Sequence, residues 1–145
     1  MDLVEDQRVT PDSMDRTLPD VLTGPGHGPV LVIGTGLLGA SAALGLRHCG
    51  LDVALRDASP TAQRVAEDLG AGRVVGQDED FRPELVIVAT PPDVTATVVA
   101  AALHEFAEAT VVDIASVKAS ILEALRADPS VSEDDLTRYV GTHPM

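Results

Sequence analysis

Val30-Leu31-Val32-Ile33-Gly34-Thr35-Gly36-Leu37-Leu38-Gly39-Ala40-Ser41 reads as a short buried strand, a tight glycine turn and the start of a helix. Gly34 lets the chain turn sharply off the strand. Gly36 removes a side chain where backbone must approach a ligand, and Gly39 lets the helix lie against the strand. The amides that open a helix have no partner within it, so those around Leu37, Leu38 and Gly39 are free to face an anion, aided by the helix dipole. An acidic residue, Asp57, follows 18 positions after Gly39 at the end of a second apolar run, Val53 to Arg56. There its carboxylate is placed to accept hydrogen bonds from the hydroxyls of an adenine ribose, and this combination is the signature of a dinucleotide-binding turn.

Working outward, apolar runs alternate with helical patterns. Helices are predicted at about 38–49, 60–69, 91–107 and 119–126, and strands at 30–33, 53–56, 74–75, 85–89, 111–114 and 139–140, with an irregular acidic stretch at 77–83. Such alternation implies an α/β fold, a doubly wound and mainly parallel sheet of the Rossmann type. Its core must be aliphatic, because Phe81, Phe106 and Tyr139 are the only aromatic residues while 45% of the chain is apolar. One such domain accounts for residues 29–145 of the 145-residue chain. Residues 1–28 carry six acidic and two basic side chains and a Gly-Pro-Gly-His-Gly-Pro hinge at their end, and read as a flexible acidic tail.

The formal net charge of −13 argues against nucleic-acid or anionic-membrane partners, both of which require a basic face. Cys49 is the only cysteine, so no internal disulfide is possible, and with no signal-peptide pattern at the N-terminus a cytoplasmic setting is expected. No metal site is read from the sequence. A 2′-phosphate beside Asp57 would meet like charge, at ~4 Å and an effective dielectric of ~20 a repulsion of about 4 kcal/mol per charge pair, which favours NAD over NADP. Arg56 beside it works the other way, since an arginine can turn toward a phosphate. FAD is a third alternative.

Ligands of doubly wound sheets lie beyond the carboxyl ends of strands. Three later strand ends carry chemistry: Thr90 and Pro91, then Ser116 and Lys118, then His143. Singly each is bland; Ser116 also suits a helix N-cap, and Lys118 a solvated position. His27, His48 and His104 have no such placement and read as surface residues. Together, GTGLLGAS (34–41), ATPP (89–92), DIASVK (113–118) and GTHPM (141–145) resemble the prephenate/arogenate dehydrogenase family, in order over residues 30–145. The resemblance implies His143 as the catalytic residue, Ser116 as the group that orients it near the nicotinamide, and Asp57 as the residue selecting NAD.

It also implies the reaction: oxidative decarboxylation of prephenate to 4-hydroxyphenylpyruvate, on the route to tyrosine. Arogenate is the alternative substrate, and a non-catalytic NAD-binding regulatory domain the alternative function. The family continues beyond the His-Pro pair into a helical domain that supplies dimer contacts and a substrate-binding arginine. With the sequence ending at Met145, that second domain is expected to be absent here. Residues 1–145 alone are expected to bind NAD weakly and to turn over little.

Overall fold

The computed structural model describes residues 28–143. Residues 1–27 of the expected tail, with His27, and the final Pro144-Met145 lie outside the described residues. The opening stretch forms β1 (Val30–Ile33) and α1 (Leu37–His48). There follow β2 (Val53–Arg56), α2 (Pro60–Asp68), β3 (Arg73–Val74), β4 (Leu85–Val88), α3 (Pro92–Glu105), β5 (Thr110–Asp113), α4 (Lys118–Ala127), α5 (Glu133–Leu136) and β6 (Tyr139–Gly141). The six strands form one sheet in the order β3-β2-β1-β4-β5-β6, and every pairing is parallel.

Both faces of this sheet are buried, which is why its central strands are apolar without interruption. Successive side chains point to opposite faces. Leu31, Ala54, Val86, Val88 and Val111 pack with Val99 and Leu103 of α3 and Ile121 and Leu125 of α4. Val30, Val32, Val53, Leu55 and Ile87 pack with Ala43 of α1 and Ala66 of α2 on the other side. The doubly wound architecture is therefore present as read. Strand order reverses direction between β1 and β4, and the crevice at that point opens at the carboxyl ends of the strands.

Predicted boundaries differ from the observed ones by a residue or two. The element missed outright is α5, a single turn closed by a reciprocal cap: Ser132 Oγ accepts the Asp135 N–H (3.1 Å) while Asp135 accepts the Ser132 N–H (3.0 Å). Four residues carry no apolar periodicity to read. Just after it, Arg138 donates to the carbonyls of Leu103 (2.9 Å), Phe106 (3.0 Å) and Ala109 (3.1 Å), so it satisfies carbonyls at the end of α3 and leads the chain into edge strand β6.

Candidate functional site

At the carboxyl end of β1 the three glycines have separate structural roles. Gly34 has φ +97°, and a Cβ there would lie 2.4 Å from the Ala89 carbonyl oxygen. Gly39 is packed still more tightly: a Cβ would lie 1.8 Å from the Gly34 carbonyl oxygen, so α1 can approach β1 and β4 only with glycine at this position. Gly36 differs from both. A Cβ there would meet nothing within 4 Å, so the space in front of it is open. As N-cap of α1 it offers no side chain to the helix amides, and the first turn holds no acidic residue. An exposed helix start without a cap and without an acidic residue in its own first turn fits an anionic diphosphate. Leu37 and Leu38, both strongly exposed, flank it.

Asp57 lies beside this turn because β1 and β2 run in register, Ile33 opposite Arg56. One of its oxygens accepts the backbone N–H (2.6 Å) and the hydroxyl (2.9 Å) of Thr35, and the other accepts the Ser59 N–H (2.7 Å). Burial by itself would raise this carboxyl. The hydrogen bonds from the Thr35 and Ser59 backbones and the Thr35 hydroxyl outweigh burial and hold it below the ordinary carboxylate range. The charge is thus fixed at the rim of the turn. Arg56 points elsewhere: its guanidinium bonds both oxygens of Glu105 (3.0 and 2.9 Å) and faces the ring of Phe106.

The other singled-out residues follow along the same rim. Thr90 and Pro91 follow β4; the Thr90 hydroxyl lies 3.2 Å from that of buried Thr95, and Pro91 is the N-cap of α3. Ser116 is exposed beyond β5. It is not the N-cap of α4, a place taken by Val117. His143 is exposed beyond β6. With strands ~4.8 Å apart, the ends of β1 and β6 are separated by three steps, roughly 14 Å, a span suited to an extended dinucleotide. Ser116 and His143 are brought to one rim, but among the described residues they are not hydrogen-bonded to each other.

What holds this end of the rim is a residue the sequence reading passed over. Asp113, the last residue of β5, is fully buried. Its carboxylate accepts the Ala115 N–H (2.9 Å), the Lys118 ammonium and the Tyr139 hydroxyl. Its carbonyl accepts the Thr142 N–H (3.0 Å) and hydroxyl (2.6 Å). Burial, then the Asp113 hydrogen bond and charge, push the Tyr139 hydroxyl above its ordinary range. Lys118 is therefore an ion-pair partner rather than a solvated side chain. The signal was present as an acidic residue closing an apolar strand five positions before a lysine. Tyr139, 26 residues on, becomes its neighbour only through the sheet.

A hollow of about 1310 Å³ lies at the opposite, amino-terminal end of the sheet, lined among others by Val30, Leu85, Thr110, Phe81 and Phe106. None of Gly34, Gly36, Gly39, Asp57, Thr90, Pro91, Asp113, Ser116 and His143 lines it. Among the described residues no cluster of His, Cys, Asp and Glu is arranged to hold a metal ion, and no helix is long and apolar enough to cross a membrane.

Residues 42–145 match the family described as prephenate dehydrogenase, nucleotide-binding domain. The chain belongs to this family. Among relatives of the family, the probable prephenate dehydrogenase NovF of Streptomyces niveus is 39% identical over 115 residues, covering 79% of this chain and 30% of that protein. The prephenate dehydrogenase of Aquifex aeolicus, solved in complex with hydroxyphenyl propionate and NAD+, superposes with a TM-score of 0.69 at 28% identity, over 81% of this chain and 42% of that one. The arogenate dehydrogenase of Synechocystis shares the fold, with a TM-score of 0.64 at 23% identity over 80% of this chain and 40% of that one. The chain thus spans less than half the length of these family members.

Proposed function

We propose that this chain is the cofactor-binding part of an NAD-dependent prephenate dehydrogenase of the cytoplasm. What supports this most is the shared rim: the open glycine turn, Asp57, Ser116 and His143 all follow carboxyl ends of one parallel sheet. The amides of Leu37, Leu38 and Gly39 bind the pyrophosphate. Asp57 retains acceptor capacity beyond its three hydrogen bonds and takes a ribose hydroxyl. Thr90 and Pro91 border the middle of the cofactor, and Ser116 lies near the nicotinamide. With Arg56 engaged by Glu105, Asp57 is left to select NAD over NADP.

When bound, NAD+ supplies the hydride acceptor. His143 accepts the hydrogen bond of the ring hydroxyl of prephenate and takes its proton as hydride leaves the same carbon. Loss of CO2 then makes the ring aromatic, and the product oxygen recovers a proton to give 4-hydroxyphenylpyruvate. An imidazole suits this exchange because it both accepts and returns a proton near neutral pH. Ser116 bonds the other ring nitrogen once substrate draws the two together. Joined to a helical second domain of the family's kind, the chain would form a homodimer through that domain, which would complete the substrate site.

The test is His143→Asn in a form carrying that helical domain. Turnover falls by about 10²–10⁴-fold while NAD+ affinity changes less than about threefold. Equal losses in both would overturn the assignment. Residues 1–145 alone bind NAD+ with little or no turnover, and robust activity from them would refute the division of labour. Turnover of arogenate but not prephenate would replace the substrate.

A further inference from the structure

Arg56 is the basic residue next to Asp57 in the chain, and its position is unusual for a surface-forming side chain. Only 12% of it is exposed, against 42% for its partner Glu105. Its Nη1 is shared between both Glu105 oxygens, its Nη2 reaches the Gly76 carbonyl at 3.4 Å, and its guanidinium carbon lies 5.6 Å from the centre of the Phe106 ring. The buried Nε has no partner among the described residues. Arg56 is therefore incompletely satisfied, and among the described residues Glu105 supplies the one countercharge that pairs with it. Yet Arg56 ends β2, adjacent to Asp57, and its carbonyl accepts the Gly34 N–H (2.8 Å) at the root of the glycine turn. Its backbone thus stands at the rim while its charge is held on the α3 side of the sheet.

We propose that Glu105 is a specificity-determining residue for the cofactor, acting through Arg56. By pairing with the guanidinium it keeps that charge from a 2′-phosphate and leaves the negative charge of Asp57 uncompensated at the ribose. The general chemistry is firm: an arginine near the end of the second strand accommodates a 2′-phosphate, while a lone carboxylate rejects it. Removing the carboxylate at position 105 leaves a guanidinium whose burial is no longer offset by an opposite charge. Such a cation moves toward water, or toward a phosphate placed beside Asp57 at the end of β2. Glu105, 49 positions from Arg56, closes α3 and among the described residues makes no hydrogen bond to the glycine turn, so nothing local marks it as a cofactor residue.

This rests on the dinucleotide reading of the glycine turn, and the test separates the two. The 145-residue chain and its variants are titrated with NAD+ and with NADP+ by calorimetry, with folding checked by circular dichroism. The wild type binds NAD+ more tightly. Glu105→Gln lowers the ratio of the NADP+ to NAD+ dissociation constants by tenfold or more, mainly by tightening NADP+, and adding Arg56→Leu restores the wild-type ratio. An unchanged ratio in folded Glu105→Gln, with NAD+ binding intact, overturns the role of Glu105 alone, as does a shift that persists in the double variant. Binding of neither dinucleotide by the folded wild type overturns the site and this role with it. If Glu105→Gln does not fold, Arg56→Leu alone decides: a withheld arginine contributes nothing to NADP+, so the ratio stays within twofold. A tenfold loss of NADP+ affinity in that variant overturns the proposal.

Discussion

Replacing Asp113 by alanine tests whether one carboxylate holds the His143 end of the rim. Three partners lose their acceptor. The Ala115 N–H is buried and is left without a hydrogen bond, a cost of about 1–3 kcal/mol. The Tyr139 hydroxyl is half-buried and loses about 1 kcal/mol. Lys118 is about a third exposed (32%) and can turn to solvent, so its ion pair is discounted from the value of a buried one to about 1 kcal/mol. The expected loss is about 3–5 kcal/mol, read by urea unfolding followed by far-ultraviolet circular dichroism. For a domain of this size it corresponds to a fall in Tm on the order of 10–15 °C. The reciprocal variant Lys118→Met is expected to cost at least as much, because it leaves a fully buried carboxylate with no countercharge. A loss below about 1 kcal/mol in Asp113→Ala would show that β6 is held by its backbone ladder alone, and would refute the role given to this network.

The glycines of the turn should separate folding from binding. Gly36→Ala keeps stability within about 0.5 kcal/mol and weakens NAD+ by tenfold or more in a calorimetric titration, whereas Gly34→Ala, at φ +97° and facing the Ala89 carbonyl, loses at least ~2 kcal/mol of stability. Tyr139, held above its ordinary 10.0 mainly by burial and then by Asp113, stabilises the fold below about pH 10 and loses that contribution as pH rises further, when the unfolded chain ionises first. Wild type should therefore destabilise more steeply than Tyr139→Phe in unfolding curves above about pH 10. Asp135 is held down to about 2 by the backbone and hydroxyl of Ser132 and by Arg138. Its contribution is present above the ordinary 3.8 and fades as pH falls toward 2, so Asp135→Asn should flatten the acid limb of the stability profile.

The fold was legible because its information is local. Val30–Ile33 and Leu85–Val88 are uninterrupted apolar runs, which a sheet covered on both faces demands, and the glycine turn between β1 and α1 has few other uses. The direction of Arg56 was legible too, though not taken. Alternation along β2 puts Val53 and Leu55 on the α1–α2 side and Ala54, with Arg56 two residues on, on the α3 side. The Asp113 network and the Arg56–Glu105 pair were not legible, because each joins residues on elements that meet only after the sheet has formed. A charged side chain in the sequence does not announce which neighbour will share its burial.

The two halves of the rim are consequently built on different principles. Around β1 the site is made of backbone: its geometry follows from where side chains are missing, and its strand is paired on both sides. Around β6 it is made of side chains. That strand, three residues long, pairs among the described residues with β5 alone, and Val140 on it is substantially exposed. An edge this short contributes little by pairing alone, so the place of His143 depends on Thr142 and Tyr139 both returning to Asp113. Gly141 belongs to the same arrangement, since a Cβ there would lie 3.1 Å from the Lys118 Cδ and 3.3 Å from the Tyr139 hydroxyl. Substitutions around β1 should therefore divide cleanly into those that stop folding and those that stop binding. Around β6 the two effects should move together, because the contacts that attach the strand are the ones that aim the histidine.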